Sequence, residues 1–188
     1  MPDIYVTLNA RLRPLDRGEH FEDPLVEILE KRGLAASITG GGTLLSENRE
    51  PSNCDIDLEV KGDGPSALQT VMDALVKLGA PVGSKARLAG GEPVSFGKTE
   101  GIGIYLNGTE LPAEVYDNND VNHLIAQLHD RLGPAGTMLS YWEGPSETAL
   151  YFYGPSAQQM RVKVADVLAT HPLAQRSRIE PLTPAAGG

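Results

Sequence analysis

Three carboxylates stand at alternate positions in Asp55-Ile56-Asp57-Leu58-Glu59. On an extended strand alternate side chains share a face. The spacing therefore gathers Asp55, Asp57 and Glu59 where oxygen ligands could hold a hard cation such as Mg²⁺. Upstream, Gly40, Gly41 and Gly42 have the freedom to form a tight turn whose backbone amides cradle an anion. A second set of side chains offers recognition rather than ligation. Alternation over residues 148–153 places Ala149, Tyr151 and Tyr153 opposite Thr148 and Leu150, and the same alternation assigns Tyr105, Tyr141 and Glu143 to the tyrosine side. Tyrosine combines a large contact area with a polar tip. Tyr105, Tyr141, Glu143, Tyr151 and Tyr153 are thus the expected binding surface.

The pair Gly41-Gly42, followed after twelve residues by Asp55-Ile56-Asp57-Leu58, is similar to the pattern of the nucleotidyltransferase superfamily. That resemblance spans about 20 residues. It implies a phosphate turn at Gly41-Gly42, a helix beginning there, and metal ligation by Asp55 and Asp57. Two features depart from the family: Gly42-Thr43-Leu44-Leu45 reads as extended, and residues 82–88 hold no third carboxylate. Other chemistry is weaker still. Gly97-Lys98-Thr99 has the ending of a phosphate-binding loop, but Glu92 occupies the required upstream glycine position. His20, His123, His129 and His171 show no zinc spacing. Cys54, the single cysteine, adjoins an acidic run that disfavours the thiolate. Ser66 and Ser156 are expected to cap helices. No catalytic residue and no cofactor are assigned.

The elements that must position these groups come in two sets. Gly64-Pro65-Ser66-Ala67 recurs as Gly154-Pro155-Ser156-Ala157, Gly42-Thr43-Leu44-Leu45 as Gly136-Thr137-Met138-Leu139, and Ile4-Tyr5-Val6 as Ile104-Tyr105-Leu106. Self-similarity at a period of about 95 residues means two like domains. In the first, residues 3–12, 35–45, 53–61 and 82–88 read as strands, and residues 21–32 and 66–78 as amphipathic helices. In the second, residues 101–106, 136–143, 148–153 and 178–182 read as strands, with helices over 121–132 and from Pro155 to 168. Each half reads βαββαβ. The halves resemble tandem ferredoxin-like domains, which implies an α+β fold of antiparallel sheets with helices on one face. The expected boundaries are 1–90 for the first repeat, 91–100 for a linker, 101–182 for the second repeat and 183–188 for a flexible tail.

The 188 residues are 40% hydrophobic and 22% charged, as expected of a globular protein, with a net charge of −9. That balance excludes nucleic acid as an expected partner, since a phosphate backbone demands a basic face. No apolar run is long enough to span a membrane, and no leader precedes the first strand, so the expected compartment is the cytoplasm. The residues point to a binding protein without catalytic machinery. It is either an acidic inhibitor or immunity-type protein covering a basic protein surface, or a sensor of a small-molecule ligand, a reading that allows a homodimer. The alternative is a metal-dependent nucleotidyltransferase using Asp55 and Asp57.

Overall fold

Ile4, Val6 and Leu8 are fully or almost fully buried, while Tyr5 and Thr7 between them are not, so β1 (Asp3–Leu8) has one face in a core and one outside it. The computed structural model describes residues 1–182. After β1 come α1 (Pro14–Arg17), a π-helical turn at Gly18–Glu22 and α2 (Asp23–Lys31). The sequence pattern starts this helix near Phe21. The chain turns helical earlier because Pro14 at the first helical position has its φ already set and no N–H left unpaired. Phe21, Leu25 and Leu29 point inward from it.

β2 (Ala36–Leu45) and β3 (Pro51–Val60) follow, then α3 (Gly64–Lys77), β4 (Ser84–Leu88) and β5 (Val94–Phe96). The strands pair antiparallel in the order β2-β3-β1-β4-β5. The apolar side of the sheet, with Ile4, Val6, Ile56, Leu58 and Ala86, is buried. Val71 and Leu75 of α3 are fully buried as well. Burying one such aliphatic side chain contributes about 1.5–3 kcal/mol.

The second unit repeats the plan with β6 (Glu100–Asn107), α4 (Ala113–Asp117), α5 (Val121–Leu132), β7 (Thr137–Glu143), β8 (Glu147–Gly154), α6 (Ala157–Thr170) and β9 (Arg178–Pro181). Its order is β7-β8-β6-β9, the counterpart of β2-β3-β1-β4, and again each pair is antiparallel. One hydrophobic cluster joins Ile102, Ile104, Leu150 and Phe152 of the sheet to Leu128 of α5 and Val164 of α6. Two βαββαβ units with the same strand order make this an α+β protein of tandem ferredoxin-like architecture.

Two details correct the sequence reading. Residues 91–100 are not a linker. Val94–Phe96 pairs with β4, and Lys98 and Val82 hydrogen-bond with the Ala80 and Thr99 carbonyls, so the first unit runs to Thr99 and the second from Glu100 to Leu182. Gly97 is needed for packing, since it has φ +107° and a Cβ there would lie 1.9 Å from the Pro81 oxygen. Thr99 donates from Oγ1 to the Gly79 carbonyl at 2.7 Å. The Gly97-Lys98-Thr99 run thus closes the first unit. The repeated tetrapeptide also folds in two ways. Gly64 opens α3, where Asp63 is the cap and accepts from the Ser66 N–H at 3.2 Å. Pro155 lies before α6, and Ser156 is the cap, its Oγ accepting from the Gln159 N–H at 3.3 Å. The tail at 183–188 lies outside the described residues. Among the described residues no helix is long and apolar enough to cross a membrane.

Candidate functional site

The outer face of the first sheet is built in two rows across three strands. Tyr5 on β1 stands opposite Asp57 of β3 on one side and Arg87 of β4 on the other. Thr7 stands likewise between Asp55 and Lys85. Because strands alternate their side chains, all six project from the face away from the core. Carboxylates form one column, cations the other, and the central strand separates them. With strands about 4.8 Å apart, the two flanking backbones are about 10 Å from each other. Tyr5, Thr7, Asp55, Asp57, Lys85 and Arg87 line a cavity of about 220 Å³, completed by Pro93 from the loop before β5.

The charges in this cavity are held apart rather than paired across it. Thr7 donates from Oγ1 to Asp55 Oδ1 at 2.6 Å. The Arg87 guanidinium carbon sits 4.6 Å from the centre of the Tyr5 ring, a cation–π arrangement. Among the described residues neither Asp57 nor Lys85 has an ion-pair partner. Glycines keep the carboxylate flank bare. Gly40 and Gly42 pair with Asp57 and Asp55 on β2, so the neighbouring strand puts no side chain over either acid.

The sequence-derived glycine and carboxylate residues therefore meet, in a different arrangement from the expected one. Gly40, Gly41 and Gly42 form no anion turn. They lie inside β2, with a register shift between Ile38 and Gly40, and β2 continues to Leu45. Gly41 must be glycine for a local reason: its φ is +154° and a Cβ would lie 2.5 Å from the Asp55 carbonyl oxygen. The helix that the nucleotidyltransferase resemblance requires after Gly42 is a strand instead, since residues 43–45 keep the extended pattern and pair with β3. Asp55 and Asp57 share the cavity, but Glu59 pairs with Asp3 and Ser37 further along and does not line it. Among the described residues no three His, Cys, Asp or Glu side chains converge where they could hold a metal ion. The Asp55, Asp57 and Glu59 metal site is thereby corrected.

The tyrosine surface is also corrected. Tyr151 is fully buried, and Tyr105 and Tyr153 are 4% exposed. The Tyr153 and Tyr105 rings lie over glycines of β6. A Cβ on Gly101 would come within 2.6 Å of the Tyr153 ring, and one on Gly103 within 2.8 Å of the Tyr105 ring. Arg178 covers Tyr105 from 3.8 Å while Glu147 and Glu180 bind its guanidinium, at 2.9 Å and 3.0 Å, and these hydrogen bonds hold its pKa above the ordinary arginine range. Tyr141 and Glu143 are on the other face. A register shift between Met138 and Ser140 inserts one residue, so Tyr141 pairs with Leu150 and packs on the helix-side cluster. Glu143 shares that parity and is exposed at the end of β7.

Cys54 is fully buried on the core side of β3. Burial pushes its thiol from 9.0 up to about 12. Arg17 pulls it back, while Asp55 and Glu22 add to the rise. Burial is thus a larger cause than the adjacent acids, and the residue has no nucleophilic character at neutral pH.

The sequence reading overlooked Lys85 and Arg87. Their signal was present in Ser84-Lys85-Ala86-Arg87-Leu88, where bases alternate with residues that face inward, in register with Asp55-x-Asp57 and Tyr5-x-Thr7.

No protein-family model matches the chain, and no curated protein matches it. Solved structures with detectable likeness include an unknown protein from Galdieria sulphuraria, at 13% identity and TM-score 0.29, with 96% of each chain covered. Another is TiaS in a complex with an isoleucine tRNA, AMPCPP and agmatine, at 11% identity and TM-score 0.35, covering 96% of this chain and 60% of that one. A third is the regulatory subunit of aspartate kinase from Thermus thermophilus, at 11% identity and TM-score 0.27, covering 88% and 93%. Scores of this size carry no functional argument, and the fold class rests on the strand order of the two sheets.

Proposed function

We propose that the protein works by binding a small polar molecule on the outer face of its first sheet, as a ligand-sensing protein. The observation that carries this reading is the cavity between Asp55/Asp57 and Lys85/Arg87. It is a concavity with four charged side chains arranged over an aromatic floor, and convergent polar groups in a concavity are the ordinary mark of a ligand site. The nucleotidyltransferase alternative loses its support in the extended course of β2 beyond Gly42. The inhibitor reading rested on the net charge. That charge divides evenly, with 11 Lys and Arg against 15 Asp and Glu in the first unit and 5 against 10 in the second, so neither unit is singled out as the acidic one.

A thermal-shift screen of polar metabolites tests the proposal. A ligand that binds the native state raises the melting temperature with concentration. The expected result is at least one such ligand whose shift disappears in the Asp57→Asn/Lys85→Met double variant. A shift that survives in that variant would place the site elsewhere.

A further inference from the structure

We infer that the ligand is a zwitterion whose ammonium and carboxylate lie at opposite ends of a short chain, an ω-amino carboxylate rather than a singly charged molecule; this rests on the proposed binding role of the same cavity. The two columns of charge decide the class. A simple amine seated against Asp55 and Asp57 would leave Lys85 and Arg87 facing it as like charges. A simple carboxylate seated on the cations would face the two aspartates. A molecule with both charges satisfies both columns at once. Their backbones are about 10 Å apart across the central strand, which favours separated ends over the adjacent ends of an α-amino acid.

The other groups in the cavity fit the same ligand. Arg87 is already laid on the Tyr5 ring and Asp55 is already held by the Thr7 hydroxyl, so each of these charges has a partner on the central strand. Asp57 and Lys85, one from each column, have no ion-pair partner among the described residues and are the groups with most to gain from a ligand. The Tyr5 ring lies in the floor between them, where a methylene chain can pack.

Calorimetric or NMR titration of the full protein with 6-aminohexanoate, hexylamine and hexanoate separates the cases. An exposed charge pair changes an equilibrium by about fivefold at most. The expected result is therefore that 6-aminohexanoate binds more tightly than either analogue, by up to about fivefold. Asp57→Asn should weaken 6-aminohexanoate and hexylamine while sparing hexanoate, and Lys85→Met should weaken 6-aminohexanoate and hexanoate while sparing hexylamine. Circular dichroism of both variants controls for folding. Equal affinities, or variants that do not discriminate the ends, would overturn the zwitterion, as would failure of all three to bind. In each of those cases the proposed binding face still stands if a metabolite shift in the native protein is lost in Asp57→Asn/Lys85→Met, and falls with it if that shift persists.

Discussion

Cys54 illustrates how one residue's environment sets its chemistry. The thiol is buried on the core side of β3 while Asp55 beside it faces outward. A thiol whose pKa is raised on folding stabilises the native state fully below its unfolded value, and that contribution is lost as pH climbs toward the folded value. With 9.0 and about 12 as the limits, the loss falls between those pH values. The melting temperature of the native protein is expected to drop more steeply over that range than that of Cys54→Ala. Parallel curves would mean the thiolate reaches solvent without unfolding. A complementary readout is a thiol reagent at pH 8, which should label the unfolded chain and leave the folded one untouched. At this scale the sequence was a fair guide to what Cys54 does not do. It misjudged the cause, because the dominant cause is burial, a product of tertiary packing, rather than the adjacent acids.

The helix starts show what a repeated sequence does and does not encode. Both copies of Gly-Pro-Ser-Ala lie at the start of a helix of 14 residues, but Asp63 caps the first and Ser156 the second. Loss of a side-chain cap costs about 1 kcal/mol. Asp63→Ala and Ser156→Ala are each expected to lower stability by that amount in chemical denaturation, whereas Ser66→Ala, whose backbone N–H rather than hydroxyl serves the cap, should cost only a few tenths. A comparable loss in Ser66→Ala would show that its hydroxyl caps after all. Most elements were legible because strand and helix periods are local. Ile4-x-Val6-x-Leu8 and Leu68, Val71, Leu75 carry them directly. β5 was missed because three residues hold no period. The inserted residue near Leu139 was missed because a bulge leaves alternation intact on each side of it while moving Tyr141 across the sheet. Of the site, Asp55 and Asp57 were legible as a one-face pair. Their cationic counterparts come from a strand 30 residues further along, and register across β1 is a tertiary fact.

At the scale of the molecule, duplication has given two sheets that share a four-strand order, with β5 added to the first, and that differ in character. The first carries charge and a cavity on its outer face, and the second buries three tyrosines on the corresponding side. The first sheet also ends on β2, ten residues, Ala36-Ser37-Ile38-Thr39-Gly40-Gly41-Gly42-Thr43-Leu44-Leu45, without a charge or a proline, and exposed over most of its length. A terminal strand of that kind is a template on which further chains can add, and charges or prolines are the usual deterrents. Here the irregular backbone and poor strand propensity of three successive glycines take that part. Gly42 has open space around its Cα, so Gly42→Val should fit the fold and yet drive concentration-dependent association in sedimentation velocity runs, with Gly42→Lys remaining as dispersed as the native protein. The glycines that leave two carboxylates open to a ligand would then also be what stops the chain from polymerising.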